Sequence, residues 1–390
     1  MFTLDTISMV NTSALRTTIL EKMEVMIMTF DKNFEIKKID DEGIVWHNVK
    51  LTDVVKLYGL NWLEENKDFN RLPKSKKDYL EPVCPNVVRL ANCTAGVQAH
   101  FKTNAKRIYI DVEIASKDNL SGMTPIARAG FDLYVGKTFE DLKFFGSSAY
   151  VPTETAYRHK FVNYYEEDVL CVLNFPLYTG VNNLWIGVEE DKYIIPHETF
   201  KDKQRVICYG TSITQGGCAS RPGLSYTNLL SRMMQVEWLN YGFSGNAFGE
   251  EELIEVLSKI KNSSLFIIDY EANAGTNGKL KLTLRNILEV IRKNNPSIRI
   301  LVISRIPYLF DEIVKDMGDV RKDLRKFQED LINELREKGD NNLYFMDGSK
   351  IFGDNYHEFT VDTVHPNDLG FMKFSEAVYK KINLIMKSGE

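Results

Sequence analysis

The sequence predicts two domains, an all-β sandwich or jelly roll followed by an α/β domain with a parallel sheet. The first observation is the length of 390 residues, because one hydrophobic core rarely keeps growing beyond roughly 250–300 residues. The second is a change of pattern near residue 200, from short strand-like runs to alternating strands and helices. The third is an apolar run that ends on Gly210-Thr211-Ser212, typical of a buried parallel strand that stops at a sharp turn.

The predicted sandwich occupies residues 35–200, after an N-terminal extension over residues 1–34. Its clearest strand is Arg107–Ile114, where apolar and polar residues alternate as in a half-buried antiparallel strand. The predicted strands of this half are short runs rich in β-branched and aromatic residues, at 43–49, 87–90, 97–101, 107–114, 130–135 and 181–187.

The predicted α/β domain occupies residues 201–390, after a polar linker over 196–204. Alternating strands and helices imply a parallel sheet that is covered on both faces. The predicted strands are 206–209, 264–270, 298–304 and 343–347, and the predicted helices lie near 224–235, 250–260, 280–294, 311–339 and 367–386.

Composition argues against several classes of function. The net charge of −5 lacks the basic excess that nucleic-acid-binding domains carry. No apolar stretch reaches the roughly 20 residues that a membrane span needs. The five cysteines form no Cys-x-x-Cys pair, so zinc and redox motifs find no support. Because the N-terminus has no basic start followed by an apolar core, we expect a cytoplasmic protein.

Three residues far apart in the sequence predict nucleophilic catalysis. A serine hydroxyl needs a base, and the base needs a carboxylate that holds its tautomer. Ser212 follows a predicted strand, and Asp362-Thr363-Val364-His365-Pro366 brings an aspartate three residues before a histidine. We therefore predict Ser212 as the nucleophile, His365 as the base and Asp362 as its partner. His357 is the weaker alternative for the base.

Acyl transfer also requires hydrogen-bond donors for the oxyanion that forms on the attacked carbonyl. The backbone N–H of Ser212 is the first candidate, because it lies at a strand-end turn. Gly245 follows a further strand-like run over 238–241 and could supply a backbone N–H, and Asn273 follows the predicted strand 264–270 and could supply a side-chain amide. The carboxyl ends of parallel strands share one sheet edge, so we expect the three donors to converge there.

These segments resemble, in order, the four blocks of the SGNH (GDSL-type) hydrolases. The blocks are Gly210-Thr211-Ser212, Gly245, Asn273 and Asp362-x-x-His365. Gly130-Phe131-Asp132-Leu133-Tyr134 resembles the Gly-x-Asp-Leu-Tyr motif of a branch with an N-terminal β domain, and Arg71-Leu72-Pro73 fits the same pattern. The resemblance implies a flavodoxin-like, three-layer α/β/α hydrolase domain behind a jelly-roll-like domain. It also implies a serine esterase that uses no cofactor and no metal, with small acyl groups, above all acetyl, on carbohydrates as substrates.

The chain departs from the family pattern at two positions. Thr211 replaces the aspartate of Gly-Asp-Ser, which leaves the mechanism intact because that residue carries no proton. Glu271-Ala272 replaces the glycine or proline expected before Asn273, which places a carboxylate near the predicted cleft. Candidate substrate contacts are Arg221, Glu271 and Arg305. The alternative for Arg221 is to fix the loop, and the alternative for Arg305 is an ordinary salt bridge.

Other functions stay open on the sequence alone. The chain could be a non-catalytic carbohydrate-binding protein, or a lipase or acyl-thioesterase of longer chains. Residues 210–217 could also cradle a phosphate of a nucleotide or flavin, although they lack the Gly-Lys-Ser/Thr ending of a P-loop. Trp46, Trp62 and Tyr134 are candidates for an aromatic surface that stacks on sugars. The expected partner is a small-molecule or oligosaccharide ester, with no nucleic acid and no membrane, and a homo-oligomer is compatible with the sequence.

Overall fold

Ten strands of the N-terminal half form two antiparallel sheets. The computed structural model describes residues 42–117, 120–148, 153–200, 204–275 and 277–387, and they belong to one compact unit. The predicted extension over 1–34 lies outside the described residues. The strands are β1 Ile44–Asn48, β2 Lys56–Tyr58, β3 Gln98–Thr103, β4 Arg107–Ile114, β5 Asp132–Gly136, β6 Lys143–Ser147, β7 Ala156–Val162, β8 Val169–Asn174, β9 Val181–Glu189 and β10 Ile194–Pro196.

The two sheets enclose a common apolar core. One has the strand order β1-β9-β4-β7, and the other has the order β10-β3-β8-β5-β6, with β2 also paired to β3. Ile110 and Ile186 from the first sheet pack in the same buried cluster as Phe101, Leu133 and Leu173 from the second. The predicted β-sandwich is therefore confirmed, whereas jelly-roll connectivity stays a prediction. The described residues of this half also form the short helices α1 Leu63–Asn66, α2 Lys77–Leu80, α3 Pro85–Leu90 and α4 Pro125–Ala129.

The C-terminal half contains the predicted parallel sheet. Its strands are β11 Arg205–Gly210, β12 Glu237–Gly242, β13 Ser263–Asp269, β14 Arg299–Ile303 and β15 Leu343–Met346. They lie in the order β12-β11-β13-β14-β15, and every pair is parallel. The helices are α5 Ser212–Gln215, α6 Tyr226–Met234, α7 Glu251–Ser258, α8 Glu271–Ala274, α9 Lys279–Asn294, α10 Phe310–Ile313, α11 Met317–Glu337 and α12 Asp368–Lys387.

Helices cover both faces of this sheet, which makes three layers. Leu253 of α7, Ile287 of α9 and Ile332 of α11 pack against one face, in the cluster that contains Ile207 and Ile268. On the other face, Leu230 of α6 and Phe374 of α12 pack with Cys208, Ile267 and Ile303. Apolar strands buried on both faces are what an α/β sheet requires.

Two predicted elements differ from the structure. Residues 87–90 are part of helix α3, not a strand; Pro85 occupies its first turn, and Val87 and Leu90 are buried three positions apart. A proline is well tolerated in a first helical turn, because its missing N–H would have had no helical partner there. The predicted helix over 311–339 is two helices, since Val314 is extended and Asp316 adopts a left-handed conformation between them.

Within the described ranges, none of the helices combines the length and the apolar character that a bilayer crossing would require.

Candidate active site

Ser212 opens the short helix α5 directly beyond strand β11. The side chain of Thr211 accepts a hydrogen bond from the backbone N–H of Ile213 and caps the helix. Gly210 is required at the turn, because a Cβ there would lie 2.0 Å from the Thr214 hydroxyl and 2.5 Å from the Asp269 carbonyl. This close packing holds Ser212 at the carboxyl edge of the sheet, where 8% of its surface stays accessible.

His365 and Asp362 meet Ser212 from the loop that precedes α12. The Oγ atom of Ser212 lies 2.7 Å from Nε2 of His365, and Nδ1 of the same ring lies 2.7 Å from Oδ2 of Asp362. Because the Asp362 carboxylate accepts a hydrogen bond from Nδ1–H, the proton of the neutral ring stays on Nδ1 and Nε2 keeps a lone pair toward Ser212. The three residues form one continuous chain of hydrogen bonds.

Asp362 is held as a carboxylate by this loop. Partial burial alone would raise its pKa, but hydrogen bonds from the backbone N–H and the ring of His365, and from the backbone N–H of Val364, outweigh it and lower the pKa below its usual range. The tight turn that permits these bonds has Thr363 at a φ of 70°. An ionised Asp362 is the form that stabilises a protonated imidazole.

Gly245 and Asn273 line the same cleft as Ser212 and His365. Gly245 adopts a φ of 68°, and no atom lies within 4 Å of the place where a Cβ would stand, so its backbone faces open space. The backbone N–H of Ala247 donates to Oδ1 of Asn273 at 3.2 Å, which fixes the amide orientation. Although Glu271-Ala272 departs from the family pattern, Asn273 therefore still reaches the cleft, in the last turn of α8.

The cleft has a volume of about 520 Å³ and one strongly apolar wall. Helices α10 and α11 supply much of that wall. Its apolar lining side chains are Ala272, Tyr308, Phe310, Met317, Val320, Leu324 and Val364. Phe310, Met317 and Val320 are about half exposed at the rim, with 46%, 46% and 51% of their surface accessible. The polar groups named above, the hydroxyl of Ser212, the amide of Asn273 and the imidazole of His365, line the same cleft.

Glu271 is fully buried at the edge of the cleft and is neutralised by cations. One carboxylate oxygen lies 2.6 Å from Nη1 of Arg321, and the other accepts bonds from the backbone N–H of Arg305 at 2.8 Å and from Gln328 at 2.7 Å. Arg305 itself forms a two-pronged pair with Asp311, at 2.6 and 3.0 Å. Glu271 and Arg305 thus lie where the sequence predicted, but their charges are already paired within the protein.

Arg221 lies against the β-sandwich and is not among the residues that line the cleft. Its Nη1 contacts Oδ2 of Asp132 at 2.7 Å and the hydroxyl of Tyr134 at 2.8 Å, and its guanidinium stacks on Phe144. The Asp132 side chain is fully buried and also accepts the backbone N–H of Gly223 at 2.8 Å. The geometry favours the alternative role for Arg221, which is to fix the loop after Ser212 to the Gly-x-Asp-Leu-Tyr strand.

The structure adds residues that sequence reasoning did not single out. Tyr178, from the loop after β8, donates its hydroxyl to the backbone carbonyl of Ser212 at 3.3 Å. Gln215 of α5 donates to the carbonyl of Leu177 and accepts from the backbone N–H of Ser244, at 3.1 and 3.0 Å. The loop after β8 of the β-sandwich therefore holds the active-site turn in place. A lone tyrosine in a loop carries no sequence signal for this contact.

The predicted sugar-stacking aromatic residues lie elsewhere. Trp46 packs on Tyr109 and Arg158 in the first β sheet, and Trp62 lines a separate groove next to Tyr79. Tyr134 is buried beneath Arg221 and Arg232. His357, the alternative base, lies in a 3-10 turn over Tyr356–Phe359 beside Glu358.

Two family models match this chain. Residues 203–383 match the GDSL-like lipase/acylhydrolase family. Residues 44–194 match the GxDLY family, described as the N-terminus of SGNH-hydrolase-type esterases. The two matches cover nearly all of the described residues and correspond to the α/β half and the β-sandwich half. A search of curated proteins finds no match.

Solved structures share this fold over most of the chain. A GDSL-like lipase from Bacteroides ovatus has a TM-score of 0.79 and 28% identity, with 88% of this chain and 98% of that one covered. A salicylyl acyltransferase of a tetracycline biosynthetic pathway has a TM-score of 0.74 and 18% identity, over 88% and 98% of the chains. A family two carbohydrate esterase from Clostridium thermocellum, in complex with cellohexaose, has a TM-score of 0.55 and 12% identity, over 75% and 93%. The last two similarities concern the fold.

Proposed function

Because this chain belongs to the GDSL-like lipase/acylhydrolase family and is an ester hydrolase, we propose that it works through Ser212, His365 and Asp362 as a catalytic triad. One observation carries the proposal. The hydroxyl, the imidazole and the carboxylate form an unbroken relay with distances of 2.7 Å at both steps. Ser212 would be the nucleophile, His365 the general base and Asp362 the group that orients and stabilises the imidazolium.

In the acylation half of the reaction, Oγ of Ser212 attacks the ester carbonyl while its proton moves to Nε2 of His365. The negative charge that develops on the carbonyl oxygen requires donors in place beforehand. The backbone N–H groups of Ser212 and Gly245 and the amide of Asn273 are the proposed donors, since all three residues line one cleft. Protonated His365 then gives its proton to the leaving alcohol, and the acyl group stays on Ser212.

In the deacylation half, water replaces the alcohol. His365 takes a proton from this water as the water attacks the acyl carbonyl. When the acyl–oxygen bond breaks, His365 returns the proton to Oγ of Ser212, and the acid leaves. The same donors serve the second oxyanion. The complete chain of hydrogen bonds also argues against a non-catalytic carbohydrate-binding protein, because a site without catalytic activity would not need to keep all three side chains aligned.

An acyl group larger than acetyl is the substrate that the cleft supports best. A cavity of about 520 Å³ far exceeds what one methyl group fills, and its α10–α11 wall is apolar. Burying each further CH₂ of an acyl chain contributes about 0.8 kcal/mol. The salicylyl acyltransferase, which shares this fold, also carries in its name an acyl group larger than acetyl.

The second candidate is the acetyl ester of a carbohydrate that the sequence predicts. Hydrogen-bonding groups such as those of Ser244, Asn273 and Asp311 line the cleft and could hold sugar hydroxyls. The carbohydrate esterase from Clostridium thermocellum has the same fold. In this case the apolar wall would face the sugar ring and not an acyl chain.

The triad is tested with Ser212→Ala on p-nitrophenyl esters. We expect turnover to fall by roughly 10⁴-fold or more, because the covalent step is lost while the fold stays intact. Ser263→Ala, at the opposite edge of the sheet, is the matched control and should keep full activity. A fluorophosphonate should label the native protein and not Ser212→Ala. Undiminished hydrolysis by Ser212→Ala would reject the triad.

The acyl group is tested with acetyl, butyryl and octanoyl aryl esters next to acetylated oligosaccharides. For the first candidate, we expect kcat/KM to rise from acetyl to octanoyl by about tenfold or more, since several CH₂ groups enter the apolar wall. Val320→Asp places a charge on that wall and should remove the preference. A maximum at acetyl, together with release of acetate from the oligosaccharides, would support the second candidate instead.

A further inference from the structure

Cys218 lies beside the proposed triad without being part of it. Its thiol, a carboxylate oxygen of Asp362 and a ring nitrogen of His365 all lie within 4.8 Å of one another. The residue is partly exposed and adopts a φ of 72°, a conformation that non-glycine residues seldom take. Of the five cysteines, the other four are buried.

Thiolate, imidazole and carboxylate are the three side-chain ligands that zinc binds in proteins, at about 2.3, 2.0 and 2.1 Å. Three ligands plus one water complete its usual tetrahedral coordination. We propose that Cys218, Asp362 and His365 form a binding site for Zn²⁺ that switches the hydrolase off. The inhibitory part of this inference rests on the proposed function of His365.

The site needs movements of up to roughly 1 Å to close around a metal ion, because its ligand atoms lie within 4.8 Å of one another. Ligand atoms of a zinc ion stand roughly 3.3–3.8 Å apart, given the bond lengths above. The 2.7 Å contact between Asp362 and His365 would have to open by roughly 0.5 Å. Asp362 has the freedom to do this, because 48% of its side chain is exposed. The same exposure gives a metal ion a path from solvent.

Metal binding would disable the base whichever ring nitrogen it uses. At Nδ1, the ion takes the place of the proton that Asp362 holds there, and the remaining proton of the neutral ring must sit on Nε2. Nε2 would then donate to Ser212 and could no longer accept its proton. At Nε2, the ion occupies the lone pair itself. In both cases the thiol of Cys218 loses its proton to solvent as the sulfur–zinc bond forms, and no electron is transferred.

The experiment titrates zinc chloride into the native protein, Cys218→Ala and the control Cys171→Ala during hydrolysis of an aryl ester. Cys171 is a buried thiol in the centre of the β-sandwich, on strand β8 and away from the active-site turn. We expect Zn²⁺ to inhibit the native protein and Cys171→Ala equally and reversibly by chelator. Cys218→Ala should need roughly tenfold more zinc or higher, because one of three ligands is missing.

A second readout does not depend on hydrolysis. Co²⁺ bound to a thiolate gives a charge-transfer band in the near ultraviolet, so the native protein and Cys171→Ala should gain this band and Cys218→Ala should not. Identical spectra and identical inhibition in Cys218→Ala would overturn the site. A thiolate band in the native protein with no loss of hydrolysis would overturn its inhibitory role. If Ser212→Ala retained hydrolysis, the proposed triad would fail while the cobalt spectra still reported on the metal site.

Discussion

Asp269 keeps a carboxyl group fully buried at the end of β13, behind the helix that carries Ser212. It accepts hydrogen bonds from the hydroxyls of Thr214 and Tyr226, each at 3.1 Å. Burial raises the pKa of Asp269 from 3.8 to about 6; those two hydrogen bonds oppose the rise, and the charge of Glu271 adds to it. The protonation state of this carboxyl group, which packs under the active-site turn, therefore makes the stability of the protein depend on pH.

Asp269→Asn should change how stability depends on pH. Below about pH 4, Asp269 is protonated in both the folded and the unfolded chain and costs nothing. Between about pH 4 and 6 the unfolded chain ionises first, so the folded state loses stability as pH rises, by about 3 kcal/mol in total. The asparagine side chain of the variant does not ionise. We expect the free energy of unfolding of the variant, relative to the native chain, to rise by up to that amount from about pH 4 to 7.

Urea unfolding at several pH values measures this difference. The exposed Asp354 provides the control, since Asp354→Asn changes the same group with no burial. A constant difference between Asp269→Asn and the native chain across this pH range would contradict the prediction.

The position of a site residue could be predicted where the order of sequence motifs identifies it. Its role could not be predicted where that role depends on the side chain with which it pairs. The sequence was sufficient to predict that Ser212, Asp362 and His365 would meet. Their catalytic roles stay a prediction. The pairing of Glu271 with Arg321 and of Arg221 with Asp132 depends on which side chains arrive from distant segments. No local pattern encodes such a partner, so the sequence could not decide whether Arg221 contacts substrate or fixes the loop.

At the scale of elements, the short helix α5 depends on the loop between β8 and β9. That loop supplies the hydroxyl of Tyr178 and the carbonyl of Leu177, which hold Ser212 and Gln215. A four-residue helix cannot maintain its own position, because isolated helices of this length are not stable in water. The β-sandwich therefore helps to fix its orientation.

Tyr178→Phe should therefore lower kcat with little change in KM. A neutral hydrogen bond contributes about 0.5–1.5 kcal/mol, which corresponds to a loss of roughly two- to tenfold. The rate of fluorophosphonate labelling of Ser212 should fall by the same factor, whereas the melting temperature should shift only slightly. Tyr164→Phe is the control, since 81% of Tyr164 is exposed. Equal labelling rates in Tyr178→Phe and the native protein would show that Tyr178 does not position Ser212.

Elements with a clear period were predicted well, and short ones with mixed signals were not. The strand over Arg107–Ile114 has the predicted bounds, because strict alternation of apolar and polar residues fits a strand and not a helix. Residues 87–90 were misread because such a short, largely apolar run fits a strand and a helix equally, and Pro85 was not weighed as a helix start. The break in the 311–339 stretch depends on a left-handed Asp316, which propensity does not indicate.

At the scale of the whole molecule, Arg71 joins the two halves. It is 1% exposed, and its guanidinium donates to the carbonyls of Leu90 and Cys93 in the β half and of Asn240 and Gly242 in the α/β half, at 2.7–2.9 Å. Burial lowers the pKa of Arg71 to about 10, so the group is still charged at neutral pH. The sequence predicted a two-part architecture, but not that a cation bridges it.

Arg71→Met should destabilise both halves together. It keeps much of the length of the side chain and leaves the four buried carbonyls without this donor, at a cost of about 3–5 kcal/mol in the free energy of unfolding. Urea unfolding followed by tryptophan fluorescence and by circular dichroism should move to lower urea by the same amount in both signals. Arg89→Met, on the exposed side of α3, is the control. Two separate transitions in the native protein would contradict the coupling of the two halves through Arg71.

The bridge made by Arg71 also constrains the order of events during synthesis. The β half leaves the ribosome first, and at that stage the guanidinium has the carbonyls of Leu90 and Cys93 but not those of Asn240 and Gly242. In a nascent chain that ends before residue 240, the guanidinium of Arg71 has only two of its four carbonyl partners, and the apolar surface between the halves is not yet covered. We therefore expect the first half to complete its folding only once β12 has been synthesised, and a chain terminated before β12 to aggregate or to be degraded.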